Sequence, residues 1–223
     1  MEDINFYDNR MLMKIHEIIE KDFALIVLCG MSGTGKTTFA RHIKDKFQDH
    51  PVKYFAIDDY KDKNYRKFGF HNKDERLIFR DLAIAEFKVD VMREINKGKC
   101  SVIIDYPFEK EWQAFFDFLT KKESSQYKLV IVNFGIPSRS DECNEIGKRF
   151  DRIWKRRVER DLSIGERRSA SLVSKSYQMN DDGSENFIID ENKFSDDNKN
   201  RLLEKYKNGK FNAITGDFIF FVD

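Results

Sequence analysis

Cysteine, proline and net charge are all scarce in this chain. Its 223 residues hold three Cys (Cys29, Cys100 and Cys143), an odd set without CxxC spacing, which excludes a disulfide framework and gives no zinc-site signal. The four His, at 16, 42, 50 and 71, do not cluster with the cysteines. A reducing, cytoplasmic setting fits this usage. Pro numbers 3 and Gly 11, against 21 Phe, and this aromatic content excludes a disordered chain. No apolar run approaches the ~20 residues of a membrane helix. The longest, Phe23–Cys29, is far shorter, and Met1-Glu-Asp-Ile-Asn is acidic and polar, without a signal-peptide pattern. No membrane partner is expected. Forty basic residues balance 39 acidic ones, a net charge of +1, so the broad basic excess of a nucleic-acid coat is missing. The length suits a single domain spanning 1–223.

What is present is an alternation of two hydrophobic periods. Met11, Leu12, Ile15, Ile18 and Ile19 are spaced as on a helix, and Phe23–Cys29 reads as a buried parallel strand. Phe39, Ile43 and Phe47 predict a helix, and Pro51–Ile57 a second strand. Ile78, Leu82, Ala85, Val89, Met92 and Ile95 mark a long helix closed by Gly98. Ser101–Ile104 predicts a third strand, Trp112, Phe115, Phe116 and Leu119 a helix, and Tyr127–Phe134 a fourth strand. Ile146, Phe150, Ile153, Trp154 and Val158 return to helical spacing, as do Leu202, Leu203 and Tyr206, before a last strand from Ile214 to Val222. Strands alternating with helices of this length imply crossovers, hence a parallel sheet with helices on both faces.

Gly30-Met-Ser-Gly-Thr-Gly-Lys-Thr37 has the spacing GxxxxGK[ST], between a strand and a helix. Glycines let the backbone curl until several N–H groups face one phosphate, and the helix adds its positive end. The cofactor-binding set is therefore Gly30, Ser32, Gly33, Thr34, Gly35, Lys36, Thr37 and Thr38, for ATP. Lys36 would reach the β- and γ-phosphates, and Thr37 would offer its hydroxyl to Mg2+. Asp105 ends the third strand, where a carboxylate can hold the same ion, although a cap or turn Asp would look alike. Asp58 and Asp59 follow the second strand, which predicts their arrival at the same sheet edge. A carboxylate there can accept the proton of an attacking hydroxyl, and a solvated turn is the alternative. Tyr60, Tyr65, Phe68 and Phe70 follow in a predicted loop, where they would line a pocket or pack a satellite core.

Charge is uneven along the chain. Residues 145–168 hold nine basic and five acidic side chains, while 180–200 hold seven acids and two Lys. Arg149, Arg152, Arg156 and Arg160 recur at steps of three and four, on a face away from the apolar positions. Ser163-Ile-Gly-Glu166 reads as a capping box that restarts a helix. Two helices with a break would form a lid over about 155–178, whose Arg side chains could neutralise a moving phosphoryl group. A solvated helix face is the alternative. The acidic stretch, about 180–200, reads as an exposed excursion with a short hairpin around Phe187–Ile189.

Together these segments resemble the small P-loop kinases, which include nucleoside and nucleotide kinases and zeta-toxin-type phosphotransferases. Gly30–Thr37 matches their phosphate loop. Ile57-Asp58-Asp59-Tyr60 looks like the strand-2 Asp motif of uridine-kinase-like enzymes, and Ile103-Ile-Asp-Tyr-Pro-Phe108 like the strand-3 motif of nucleoside-monophosphate kinases. Trp154–Arg168 is similar to their lid. The resemblance implies an α/β P-loop NTPase fold, with a five-stranded, mostly parallel sheet in order 2-3-1-4-5 and a helical lid. It implies Asp58 as base, Arg156, Arg160 and Arg167 as phosphate-closing residues with Lys36, and Asp58, Asp59, Tyr60 and Tyr106 as substrate contacts. The activity implied is transfer of the γ-phosphoryl group of ATP, with Mg2+, to a small-molecule acceptor. A polynucleotide 5′-hydroxyl kinase and a non-kinase regulatory ATP-binding module are the alternatives, and the charge balance counts against nucleic acid. No match is found for 180–200 or for the last strand, and Arg66, Arg76 and Arg80 stand in no phosphate-reading motif.

Overall fold

The computed structural model describes residues 9–31, 33–69, 73–106, 112–120, 127–135, 143–163, 175–179, 185–189, 194–208 and 215–222. In chain order the elements are α1 (Asn9–Lys21), β1 (Phe23–Cys29), α2 (Lys36–Lys46), β2 (Val52–Ala56), α3 (Ile57–Phe68), α4 (Lys73–Lys97) and β3 (Ser101–Asp105). There follow α5 (Gln113–Thr120), β4 (Tyr127–Phe134), α6 (Cys143–Ser163), β5 (Lys175–Met179), β6 (Glu185–Ile189), α7 (Asp196–Lys207) and β7 (Phe218–Val222). Five strands form one parallel sheet in the order β2-β3-β1-β4-β7, the expected 2-3-1-4-5 with the last strand in fifth place. β1 runs between β3 and β4, with Leu28 beside Asp105 and Cys29 beside Asn133. Among the described residues no helix is long and apolar enough to cross a membrane.

By internal contacts the chain divides into two units, with boundaries inside β2 and α4. The first holds Met1–Tyr54, Met92–Ile136 and Gly209–Asp223. A central strand must be apolar on both faces, and Phe23-Ala-Leu-Ile-Val-Leu-Cys29 is. On one face Ala24, Ile26 and Leu28 pack with Met11, Leu12 and Ile15 of α1 and Phe39, Ala40 and Ile43 of α2. The alternate residues Leu25, Val27, Val102, Ile104, Leu129 and Ile131 are also buried. The Phe39 and Phe134 rings meet edge-on at 5.3 Å, which ties α2 to β4. At the sheet edge Asp217 accepts the Leu129 N–H at 2.7 Å, just before β7 begins.

The second unit holds Phe55–Val91 and Pro137–Asn208. Asp58 to Phe68, expected in a loop, lies in α3 instead. The residues themselves explain it: Asp58 and Asp59 sit in the first turn, Arg66 and Lys67 in the last, and Gly69 ends the helix at φ 64°. The aromatics of this segment, expected to line a pocket or to pack a satellite core, make ring contacts within the unit. Tyr60 meets Phe87 edge-on at 5.5 Å and Phe68 stacks on Phe79 at 5.0 Å, while Phe70 lies outside the described residues. α4 buries Ala83, Phe87 and Val91, whereas Ile78 and Val89 of the row that marked it are 63% and 53% exposed. Phe150 of α6 packs on Tyr206 of α7 at 5.6 Å, and Lys199 bonds Asp151 at 2.8 Å.

Two expectations for the basic and acidic segments change. Helix α6 runs on through Ser163, but Lys175–Met179, expected at the end of a helical lid, is a strand paired antiparallel with Glu185–Ile189. The hairpin at Phe187–Ile189 therefore exists and takes its other arm from the lid segment. Within Lys175-Ser-Tyr-Gln-Met179 only Tyr177 is a strand-favouring side chain, so the segment carries little strand signal of its own. The acidic stretch is also not all excursion. Asp196 and Asp197 occupy the first turn of α7, behind Ser195, whose Oγ accepts the Asn198 N–H at 3.3 Å.

Gly216 makes the tightest backbone approach at β7. A Cβ there would lie 2.8 Å from the Leu129 carbonyl oxygen and 2.9 Å from its side chain. Gly216→Ala is expected to lower the unfolding free energy by about 1–3 kcal/mol, read by urea denaturation. An unchanged midpoint would show that β7 shifts freely.

Candidate functional site

The site grows from the C-terminal end of β1. The loop after Cys29 is built on backbone that only glycine adopts readily. Gly30, Gly33 and Gly35 stand at φ 130°, 92° and 99°. At Gly30 the constraint is doubled, because a Cβ would also lie 2.6 Å from the Phe134 carbonyl oxygen. Gly35 then caps α2 without any side-chain hydrogen bond, and no acidic residue occupies that helix's first turn. The helix thus starts with open N–H donors and uncompensated positive dipole, the electrostatics an anion needs.

Lys36 is only 8% exposed, and its Nζ donates to the carbonyls of Gly30 at 3.0 Å and Met31 at 2.9 Å. The ammonium is folded over the loop and lies 3.9 Å from Asp105 Oδ1. Thr34 Oγ1 donates to the Met31 carbonyl at 2.8 Å, which braces the same turn. The next residue, Thr37, donates its hydroxyl to Asp105 Oδ2 at 2.9 Å. Asp105 is itself buried, at 9% exposure. It reaches this place because β3 lies beside β1 in register, with Asp105 opposite Leu28.

One residue was not anticipated. Tyr54 of β2 donates its hydroxyl to the same Asp105 Oδ2 at 3.0 Å. Its position in sequence carries only a strand signal, since the partner lies across the sheet. Two other groups mark this end of the sheet. Burial pushes the Cys29 thiol up to about 12, with the Lys36 charge opposing weakly, so Cys29 stays protonated and is no nucleophile. Asn133, its register partner, is buried with its Oδ1 lacking a hydrogen-bond donor.

The first unit thus brings together Lys36, Thr37 and Asp105, with Gly30, Gly33, Thr34, Gly35 and Thr38 in the loop and first turn. Ser32 lies outside the described residues. Tyr106 follows Asp105, and its ring lies 4.4 Å from that of Trp112. The second unit carries the other expected residues. Asp58 is on α3, half exposed, with Lys61 Nζ 3.3 Å from its Oδ1, and Asp59 shares that first turn. Tyr60 donates its hydroxyl to Asp90 at 3.0 Å, and burial with that bond raises its pKa. Arg156 is exposed on α6. Buried Arg157 lies 5.4 Å over the Trp154 ring. The Arg160 side chain and Arg167 lie outside the described residues.

The residues fit a phosphate chain with a hard cation. The donors are a buried ammonium, glycine-loop amides and a helix start. The hydroxyl and carboxylate oxygens of Thr37 and Asp105 already touch, and such oxygen ligands suit Mg2+. A sequence profile of the family described as "Chromatin associated protein KTI12" matches residues 23–107, from β1 past β3, less than half of the chain. No curated protein matches. Among solved structures, a kinase candidate from Chloroflexus aurantiacus J-10-fl is 18% identical with a TM-score of 0.50, over 68% of this chain and 74% of that one. The PezAT toxin–antitoxin system of Streptococcus pneumoniae aligns at 14% identity and TM-score 0.40, over 93% and 97%. The Pnkp1/Rnl/Hen1 complex aligns at 19% and 0.40, over 55% and 40%. With the sheet order and the loop, the chain has the fold of a small P-loop kinase-like protein.

Tyr54→Phe removes one of two hydroxyl donors on Asp105. It is expected to lower stability by about 0.5–1.5 kcal/mol, measured by urea unfolding. No change would mean that the tyrosine hydroxyl contributes nothing to holding the carboxylate.

Proposed function

We propose that this protein is an ATP- and Mg2+-dependent phosphotransferase that moves the γ-phosphoryl group to a hydroxyl, or a phosphate, of a small molecule such as a nucleoside, nucleotide, sugar or vitamin. One observation carries the reading: buried Lys36 lies folded over its glycine loop, with the Thr37–Asp105 hydrogen bond beside it. Loop amides and the α2 start bind the phosphates, and Lys36 draws charge from the β- and γ-oxygens. Thr37 and Asp105 would hold Mg2+ through their oxygens, and the ion would supply positive charge to offset that on the phosphate oxygens.

In transfer, the acceptor hydroxyl oxygen bonds the γ-phosphorus, and the bond from that phosphorus to the β–γ bridging oxygen breaks. ADP leaves with the electron pair, and the hydroxyl proton passes to a carboxylate. The resemblance of Ile57-Asp58-Asp59-Tyr60 to the strand-2 motif supports Asp58 as that base. The likeness of Trp154–Arg168 to a lid supports Arg156, Arg160 and Arg167 as residues that steady the phosphates.

A second reading has one observation in its favour. The profile that matches residues 23–107 is that of a chromatin-associated protein, and the matched segment is the nucleotide-handling one. A nucleotide-binding module that acts through a macromolecular partner would need only this half of the machinery. A polynucleotide 5′-hydroxyl kinase would add the basic face of α6 as a phosphate contact.

The test is a coupled ADP-release screen against nucleosides, nucleotides, sugars, vitamins and 5′-hydroxyl oligonucleotides. One small molecule is expected to accelerate ADP release, and Asp58→Asn to lower that turnover by about 10²–10⁴-fold with ATP binding retained. Acceleration by oligonucleotides alone, falling steeply with salt, would favour the polynucleotide reading. ATP binding without acceleration by any acceptor would favour the partner-acting module. Unchanged turnover in Asp58→Asn would remove that residue from the mechanism.

A further inference from the structure

A second cluster of metal-binding side chains lies away from the phosphate loop, in the first unit. His16 and Glu20 stand one turn apart on α1, and His50 follows the end of α2. One ligand atom from each lies within 4.8 Å of the other two. We infer that His16, Glu20 and His50 form a binding site for a divalent transition-metal ion, best matched by Zn2+, with water completing four-coordination.

One of the three ligand pairs already has the spacing of a bound ion. Zn2+ bonds imidazole nitrogen and carboxylate oxygen at about 2.0–2.2 Å in tetrahedral sites, which sets ligand atoms ~3.4 Å apart. His16 Nε2 and Glu20 Oε1 are 3.4 Å apart. Glu17, the neighbouring acid, is bonded by Lys14 at 2.9 Å and Lys21 at 2.8 Å, so it does not compete for the His16 side of the helix. The His16 ring packs on Phe47 with centroids 5.0 Å apart, and meets the His50 ring edge-on at 5.8 Å. With all three ligand atoms within 4.8 Å of one another, side-chain rotation is what would close the site on an ion.

The third ligand is held by backbone. The His50 N–H donates to the Phe47 carbonyl at 3.0 Å, and the carbonyl of the next residue, Pro51, accepts the Ser101 N–H at 2.9 Å. His50 is thereby fixed between the last turn of α2 and the edge of the sheet. An ion here would join α1 to the α2–β2 connection, and would reinforce the face of the core that α1 and α2 cover.

The ligand types choose the metal. Two imidazoles and one carboxylate favour Zn2+, Co2+, Ni2+ or Cu2+ over Mg2+, which prefers oxygen. The site is also separate from Lys36, because the 11 residues of α2 span ~16 Å at ~1.5 Å per residue. Excess Mg2+ should therefore leave it untouched. Sequence spacing did not announce the cluster, since His50 is 34 positions from His16 and the fold alone brings them together.

The competing explanation is an ordinary i,i+4 His–Glu pair with a neighbouring ring. Calorimetric titration of the chelator-stripped full chain with Zn2+, in excess Mg2+, separates the two. One Zn2+ per chain is expected, with affinity more than about tenfold weaker in His50→Ala and in Glu20→Gln. Co2+ in the same site should give the visible bands of tetrahedral coordination. At a hundredfold excess over its Kd, Zn2+ should raise the melting temperature of the wild type by about 5–10 °C and that of His50→Ala far less. Metal-free His50→Ala should melt with metal-free wild type, which distinguishes a lost ligand from a lost fold. Absence of stoichiometric Zn2+ binding, displacement by Mg2+, or unchanged affinity in both variants would overturn the site.

Discussion

The hydrogen bond from Thr37 to Asp105 depends on almost every other feature of the first unit. It requires two side chains 68 positions apart to meet at 2.9 Å. Thr37 is placed by the glycine loop and the first turn of α2. Asp105 is placed by the parallel register of β3 on β1. The register depends in turn on a strand that is apolar on both faces, and on α1 and α2 covering one of them. Tyr54 adds a second donor from the neighbouring strand, so three elements converge on one buried carboxylate. A carboxylate removed from water in this way is stable only while hydrogen-bonded or paired with a cation. Here it has two hydroxyl donors and the Lys36 ammonium nearby.

Much of this was legible in the sequence because it is local. Gly30–Thr37 carries its conformation in its glycines, and positive φ at Gly30, Gly33 and Gly35 agrees with that reading. Buried strands such as Tyr127–Phe134 announce themselves as short apolar runs, and this one has the expected limits. The features that escaped are tertiary or mixed in their signals. Tyr54 looks like any strand residue until β2 and β3 are placed. The helix α3 was masked by its many polar residues, although its acids at the start and bases at the end fit a helix dipole. On α4 two apolar rows compete, and only packing decides that Ala83, Phe87 and Val91 are the buried one. In the lid segment the expectation is two helices with a break, whereas Lys175–Met179 pairs as a strand.

The same logic separates the two clusters of the first unit. At the phosphate loop the donors are amides, an ammonium and hard oxygens, a set for phosphate and Mg2+. On the α1 and α2 side the donors are two imidazoles and a carboxylate, a set for a softer ion. Their chemistry differs as their positions do, at opposite ends of α2. The site so assembled explains how a nucleotide would be held.

The most direct test of the nucleotide site is calorimetric binding of a non-hydrolysable ATP analogue, with Mg2+ present and with Mg2+ chelated. Buried Lys36 beside the Thr37–Asp105 pair leads to one binding event per chain that tightens markedly with Mg2+. Equal affinity with and without Mg2+, or no binding at all, would contradict it.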